Sequence, residues 1–166
     1  MTLQIDDAGV GDLLSGVVIG IYKPETDHFD FEMIDVRYFQ KGDFKRKKYL
    51  TEAANTVLRL VNRFSPGETE PIEICSSFIL AEAVKQLENK YGETRVKVVK
   101  IVGKAQEETE KAYLNELRRL GYEPISDRET RRARSFFDML RWVKKDRSRL
   151  QFAKTGWPRL RRYIRL

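Results

Sequence analysis

The 166-residue chain contains very few of the residues that build disulfide-bonded domains or thiolate metal sites. It has one cysteine, Cys75, and one histidine, His28. A single cysteine excludes an intrachain disulfide framework and a zinc site made of several cysteines, and it favours a reducing compartment such as the cytoplasm. A single histidine, placed in a predicted turn, leaves no histidine network for a hydrolase triad.

Long hydrophobic runs are also absent. No stretch approaches the 18 apolar residues of a membrane span, and the first residues are too polar for a secretory signal, so we expect no membrane association. With 41% hydrophobic residues the chain can still bury a core. Charged residues make up 34%, against four Asn and five Gln, a balance typical of thermophile proteins.

Charge is divided unevenly along the chain. Residues 131–166 contain thirteen Lys and Arg against two acids, whereas the first 130 residues contain 19 basic and 23 acidic side chains. A basic segment of this kind releases counterions from a phosphate backbone, so the pattern predicts nucleic acid as the partner. The alternative is a solvated basic helix without a ligand.

Apolar periodicity predicts a mixed order of strands and helices. The predicted strands are 3–7, 17–22, 29–39, 72–75 and 95–102, and the predicted helices are 45–64, 78–91, 104–120 and a last one capped by Ser126 or Asp127 that continues to about 143. Three strands followed by alternating helices and strands predict an α/β fold with a mixed five-stranded sheet flanked by helices. We expect one domain over residues 1–147 and a basic C-terminal tail over 148–166 that packs on it or extends from it.

The first predicted strand ends in two adjacent carboxylates, Asp6 and Asp7, followed by a glycine turn. The second predicted strand is apolar enough to be buried, which would hold the two acids near the centre of the sheet. Because buried carboxylates are unfavourable without a cation, the pattern predicts a divalent metal site. Mg²⁺ or Mn²⁺ is expected, since hard cations take carboxylate oxygens and retain exchangeable waters.

The segment Ile5-Asp6-Asp7-Ala8-Gly9-Val10-Gly11 resembles the first motif of type 2 ribonucleases H, and the predicted strand order resembles that of the ribonuclease H-like superfamily. Asp7 replaces the Glu of that motif and Val10 replaces its Arg. The resemblance implies a ribonuclease H-like sheet, with Asp6 as the first metal-binding carboxylate and hydrolysis of phosphodiesters by two metal ions.

Two further carboxylates of the superfamily site have candidate positions here. Glu52, in the first long helix, resembles the helix carboxylate of type 1 ribonucleases H, although an ordinary surface role is the alternative. Near the end of the fourth strand, where the superfamily commonly has Asp, the chain reads Cys75-Ser76-Ser77. Either Glu73 contributes from a shifted register or the site has lost an acid.

The last carboxylate of the superfamily site comes from a late helix. We select Asp138, one of only two acids in the basic segment, with an ion pair to Arg134 or Arg141 as its alternative role. Asp127 is also a candidate, although a helix cap is its simpler role. The other candidates are Glu107, Glu110 and Glu129.

The predicted function is therefore a metal-dependent nuclease acting on structured or hybrid nucleic acid, with Asp6, Asp7, Glu52 and Asp138 as catalytic and metal-binding residues. The alternative is a non-catalytic nucleic-acid-binding module of the same fold. A nucleotide-binding glycine loop is disfavoured because the spacing of both common phosphate-binding motifs is absent.

The predicted nucleic-acid-binding residues are basic and lie after residue 130: Arg131, Arg132, Arg134, Arg141, Lys144, Lys145, Arg161 and Arg162. Trp157 and Tyr163 are predicted either to stack on bases or to pack the tail on the body.

Overall fold

The computed structural model describes all residues from Met1 to Leu166 and has five strands and four α-helices. The strands are β1 (Leu3–Ala8), β2 (Val17–Lys23), β3 (His28–Ile34), β4 (Ile72–Ile74) and β5 (Val96–Val98). The helices are α1 (Lys48–Phe64), α2 (Ala81–Tyr91), α3 (Lys104–Arg119) and α4 (Arg132–Lys145).

The strands form one mixed sheet in the order β3-β2-β1-β4-β5. β2 pairs antiparallel with both β1 and β3, while β4 pairs parallel with β1 and β5. The central β1 is thus hydrogen-bonded to a neighbouring strand on each side, β2 and β4. The predicted α/β class and mixed five-stranded sheet are confirmed.

Helices cover both faces of the sheet. α1 and α2 pack on one face, where alternate residues of β1 and β2 such as Ile5 and Ile19 enter the larger core. α3 packs on β1 and β2 from the other face, and α4 joins it through Met139 and Val143. The close approach of α3 depends on Gly20, because a Cβ there would lie 2.1 Å from the Thr109 hydroxyl.

The C-terminal segment folds back onto the body. Lys154 and Leu160 are buried, and the backbone of Ala153 forms an isolated bridge with Leu14. The Lys154 amide also donates to the Leu13 carbonyl at 2.8 Å. This segment therefore covers the loop that follows β1.

Four predicted boundaries are wrong. β3 ends at Ile34 rather than at residue 39, because Val36–Phe39 forms a 3₁₀ turn in which the Tyr38 amide donates to the Asp35 carbonyl. The first long helix begins at Lys48 rather than Lys45, because Lys47 has a positive φ of 55° that interrupts the preceding turn. β5 has three residues rather than eight, since its neighbour β4 provides a partner over only three. Asp127 does not cap α4, which begins five residues later at Arg132; its own φ of 55° places it in a turn.

Candidate metal centre

The acidic pair lies at the carboxyl end of β1, beside the end of the parallel strand β4. The Cys75 amide donates to the Ile5 carbonyl at 3.0 Å, which places the residue after β4 next to the two aspartates. One ligand atom from each of Asp6, Asp7 and Cys75 lies within 4.8 Å of the other two. The three side chains could therefore hold a metal ion together.

The two carboxylates have little compensating positive charge. Asp6 is only 8% exposed and has no basic nitrogen within 4 Å. Burial raises its pKa to about 6, and the charges of Asp7 and Glu129 act in the same direction. Burial also raises the pKa of Asp7, although the hydrogen bonds from Cys75 and Ser77 and the charge of Arg132 act in the opposite direction. A buried and a part-buried acid that form no ion pair are the kind of site at which a bound cation lowers the free energy.

Neighbouring donors orient the Asp7 carboxylate. The Cys75 thiol donates to Asp7 Oδ1 at 2.9 Å, and the Ser77 hydroxyl lies 3.3 Å from Oδ2. Burial and the two carboxylates raise the pKa of the Cys75 thiol. The sulfur is therefore protonated at neutral pH, which makes it a hydrogen-bond donor rather than a nucleophile.

A half-open cavity of about 510 Å³ contains this acidic pair. Its walls come from the loop after β1, the segment after β4, the helix α3 and the segment that leads into α4. The charged residues lining it are Asp6, Asp7, Asp12, Lys100, Glu110, Arg128, Glu129 and Arg132. The cavity thus brings acids and bases together at the carboxyl ends of adjacent parallel strands, a common location for ligand sites in α/β proteins.

One group of charges in the cavity wall is already compensated. Arg128, 9% exposed, forms ion pairs with both Asp12 and Glu110 and also lies over the Tyr113 ring. These contacts connect the loop after β1, α3 and the segment before α4. The network holds three parts of the wall in one arrangement.

A buried lysine and a glycine with a positive φ fix the backbone of the loop after β1. Lys154, fully buried, donates to the carbonyls of Asp12 and Leu14 at 2.8 and 3.3 Å. Burial lowers the pKa of Lys154 to about 7. Gly9 has a φ of 99°, and a Cβ there would lie 2.5 Å from the Tyr113 ring, so this position requires glycine.

The structure does not bring Glu52 or Asp138 into this cavity. Glu52 lies on α1 and pairs with Arg59 at 3.3 Å, the surface role that was its alternative. Asp138 accepts from the Tyr122 hydroxyl at 2.7 Å and pairs with Arg141 at 3.0 Å. Their proposed convergence with Asp6 and Asp7 therefore has no support in this arrangement.

Of the open candidates for further acids, two line the cavity. Glu110 does so but is held by Arg128, whereas Glu129 has no ion pair. Glu107 and Asp127 are not among the lining residues, and Glu73 accepts from Gln4 at 3.1 Å. Glu129 is thus the best placed late acid.

Among the predicted nucleic-acid-binding residues, Arg132 alone lines the cavity. Its guanidinium lies close to the Gly11 turn, where a Cβ would be 3.9 Å from Nη1. The other seven are exposed residues of α4, of the turn just before it, or of the C-terminal segment. Arg132 therefore connects the acidic cavity with the basic surface.

Two important residues of the site were not selected from the sequence. Cys75 was identified only as a departure from the superfamily pattern, although its position after β4 was a usable signal. Arg128 gave no signal, because its two acidic partners are 116 and 18 residues away along the chain.

None of the helices combines the length and apolar character needed to cross a membrane. Comparisons of the chain with protein-family models, curated proteins and solved structures found no match.

Proposed function

We propose that this protein is a metal-dependent nuclease with a ribonuclease H-like sheet. The observation that carries the proposal is the buried Asp6, which lies beside a second carboxylate in an accessible cavity without an ionic partner. The strand order β3-β2-β1-β4-β5, with β2 antiparallel, supports it because the resemblance implied this sheet with Asp6 on its central strand.

The residues present fit a hard divalent cation. Asp6 and Asp7 supply carboxylate oxygens, Glu129 supplies a third acid at the cavity wall, and Mg²⁺ or Mn²⁺ takes such ligands. When bound, the metal would lower the pKa of a water molecule and neutralise charge on the phosphate. The chain needs no nucleophilic side chain for this chemistry, and the protonated Cys75 is not one.

The protein's own residues have separable roles in this proposal. Cys75 and Ser77 orient the Asp7 carboxylate through their hydrogen bonds. Arg132, free of any ion pair at the mouth of the cavity, binds a phosphate oxygen of the substrate. Arg128 pairs with both Asp12 and Glu110, which holds the loop after β1 and the helix α3 in place around the acidic pair.

A non-catalytic nucleic-acid-binding module of the same fold is the second candidate. The observation that favours it is the separation of Glu52 and Asp138 from the acidic pair, which leaves fewer carboxylates than the superfamily site uses. The basic surface of α4 would then be the functional part.

A cleavage assay separates the two candidates. The protein is incubated with Mg²⁺ or Mn²⁺ and labelled RNA/DNA hybrid, single-stranded DNA, duplex and four-way junction substrates, with a chelator as the metal-free control. We expect cleavage by the wild type and by Glu52→Gln and Asp138→Asn, and loss of cleavage in Asp6→Asn. Absence of cleavage on every substrate, or equal cleavage by Asp6→Asn, would overturn the nuclease, and salt-dependent binding that persists would favour the module.

A further inference from the structure

An exposed aromatic cluster lies on α4, outside the acidic cavity. Phe137 is 45% exposed, and its ring packs edge-to-face with that of Tyr163, 39% exposed, at a centroid distance of 5.4 Å. Phe136 packs against both rings from below, at 5.4 and 5.8 Å. The two outer rings are therefore held in place and present apolar surface to solvent.

The surroundings of this aromatic cluster are cationic. Arg134 and Arg141 lie three residues before and four residues after Phe137, on the same side of the helix, and Arg161 and Arg162 directly precede Tyr163. The nearby Asp138 is already engaged by Tyr122 and Arg141. Of the thirteen basic residues after residue 130, only Arg141 forms an ion pair. Apart from the buried Lys154, the excess positive charge is consequently available to an external anion.

Charge and ring exposure together select the occupant of this surface. A second copy docked through this same surface would bring charge of the same sign and is disfavoured. A polyanion is favoured, since basic side chains release its counterions. Exposed rings cannot stack on the bases of a duplex, because those bases are already stacked on each other, but they stack readily on unpaired bases.

We propose that the aromatic cluster and the arginines around it bind single-stranded nucleic acid by stacking unpaired bases on Phe137 and Tyr163. This inference rests on the proposed function for the class of substrate and names the form in which that substrate is held. Arg132 is five residues from Phe137 along α4, a rise of roughly 7 to 8 Å. At about 100° per residue the two side chains also differ by about 140° around the helix, so the aromatic cluster is a surface beside the cavity and not part of its wall.

The test measures binding at one fixed salt concentration, in the Asp6→Asn background so that no substrate is cleaved. The ligands are a labelled oligothymidylate, an abasic oligonucleotide with the same number of phosphates, and a duplex. Because both single strands carry the same charge, their difference in Kd reports the contribution of the bases. We expect the oligothymidylate to bind about ten-fold more tightly than the abasic strand.

Phe137→Leu removes the ring but keeps an apolar side chain, and we expect it to abolish most of that preference. The matched control is Phe31→Leu, because Phe31 is 46% exposed but lies between Asp30 and Glu32. This control should keep the preference, and Tyr163→Phe, which retains a ring, should keep it as well. Quenching of a 2-aminopurine base in the bound strand measures stacking on the protein without a Phe137 substitution.

Several results would overturn this inference. Equal Kd values for the two single strands, no binding of either strand, an equal loss in Phe31→Leu, or tighter binding to anionic lipid vesicles than to the oligonucleotide would each do so. A failure of the nuclease proposal can be told apart from a failure of the proposed binding surface, because this experiment measures binding and not cleavage. A protein that binds with this preference but cleaves nothing loses only the proposed function, and one that cleaves but shows no base preference loses only this surface.

Discussion

Two groups of buried and part-buried acids lie in the same cavity and differ in what neutralises them. Asp12 and Glu110 share the guanidinium of Arg128, so that each acid in this group has an ionic partner. Asp6 and Asp7, near the start of the chain, form no ion pair; their contacts are hydrogen-bond donors and each other, and the charge of Arg132 only partly offsets the burial of Asp7.

This difference separates a structural group of charges from a candidate binding group. A compensated network holds its surroundings in place, and its loss leaves uncompensated buried charge. An uncompensated pair is unfavourable in the free protein and becomes favourable when a cation binds. The two groups should therefore respond in opposite directions when one member is neutralised.

The largest expected effect is that of Arg128→Met, which leaves Asp12 and Glu110 buried without their partner. We expect a loss of about 3 to 5 kcal/mol in the free energy of unfolding, measured by urea denaturation at neutral pH. Arg132→Met is the control, since the exposed Arg132 has no ion pair and its loss should change the free energy by less than about 0.5 kcal/mol. Equal effects of the two substitutions would contradict the structural role of the network.

Asp6→Asn should act in the opposite direction in metal-free protein. The pKa of Asp6 is raised from 3.8 to about 6 in the folded state, so the folded protein binds its proton more tightly than the unfolded chain. The free energy of unfolding of the wild type should consequently fall as pH rises from about 4 to about 6, by about 2 to 3 kcal/mol for this group, and level off above that range.

The measurement is a series of urea denaturation curves between pH 4 and pH 7 with a chelator present. Asp6→Asn should lack most of the decline seen in the wild type. Parallel pH profiles for the two proteins would show that Asp6 is not an uncompensated buried acid.

Cys75→Asp adds a third carboxylate beside the uncompensated pair. Without metal, we expect a loss of about 1 to 2 kcal/mol in the free energy of unfolding, because like charges are brought together in a buried site. With Mg²⁺ or Mn²⁺, the metal-induced gain in stability should exceed that of the wild type. Cys75→Ala controls for loss of the thiol, and a variant that responds to metal no more than Cys75→Ala would count against the site.

The smallest effect is expected for Glu52→Gln. Glu52 is partly exposed and pairs with Arg59 on the surface of α1, so its neutralisation should change the free energy of unfolding by less than about 1 kcal/mol. The response to Mg²⁺ or Mn²⁺, followed by thermal denaturation, should equal that of the wild type. A loss of that response would place Glu52 in the metal site after all.

Most of the sheet and the position of the acidic pair could be predicted from the sequence. Alternating or continuous apolar residues locate β1 and β2 well, since these strands are long enough to show their periodicity. They also locate the start of β3, but its predicted end ran five residues too far, into the turn Val36–Phe39. The short strand β5 was overextended, because its apolar run continues beyond the three residues that β4 can pair with. Pairing depends on the neighbouring strand, which local pattern does not contain.

The remainder of the site depends on contacts between distant parts of the chain. Glu52 was selected by resemblance, but it pairs with Arg59, two turns further along the same helix, and not with a residue of β1. Asp138 was selected for its rarity in a basic segment, whereas Tyr122, sixteen residues earlier, decides its environment. Side chains on a helix face a partner that only tertiary packing determines, so neither choice could be resolved from spacing.

Binding of a divalent cation by the acidic pair is the central claim, and a thermal denaturation series with increasing Mn²⁺ tests it directly. We expect a saturable stabilisation of the wild type, about 2.7 kcal/mol when the metal is at 100 times its Kd, and its loss in Asp6→Asn. Glu52→Gln and Asp138→Asn should retain it. No stabilisation of the wild type, or equal stabilisation of Asp6→Asn, would contradict the claim.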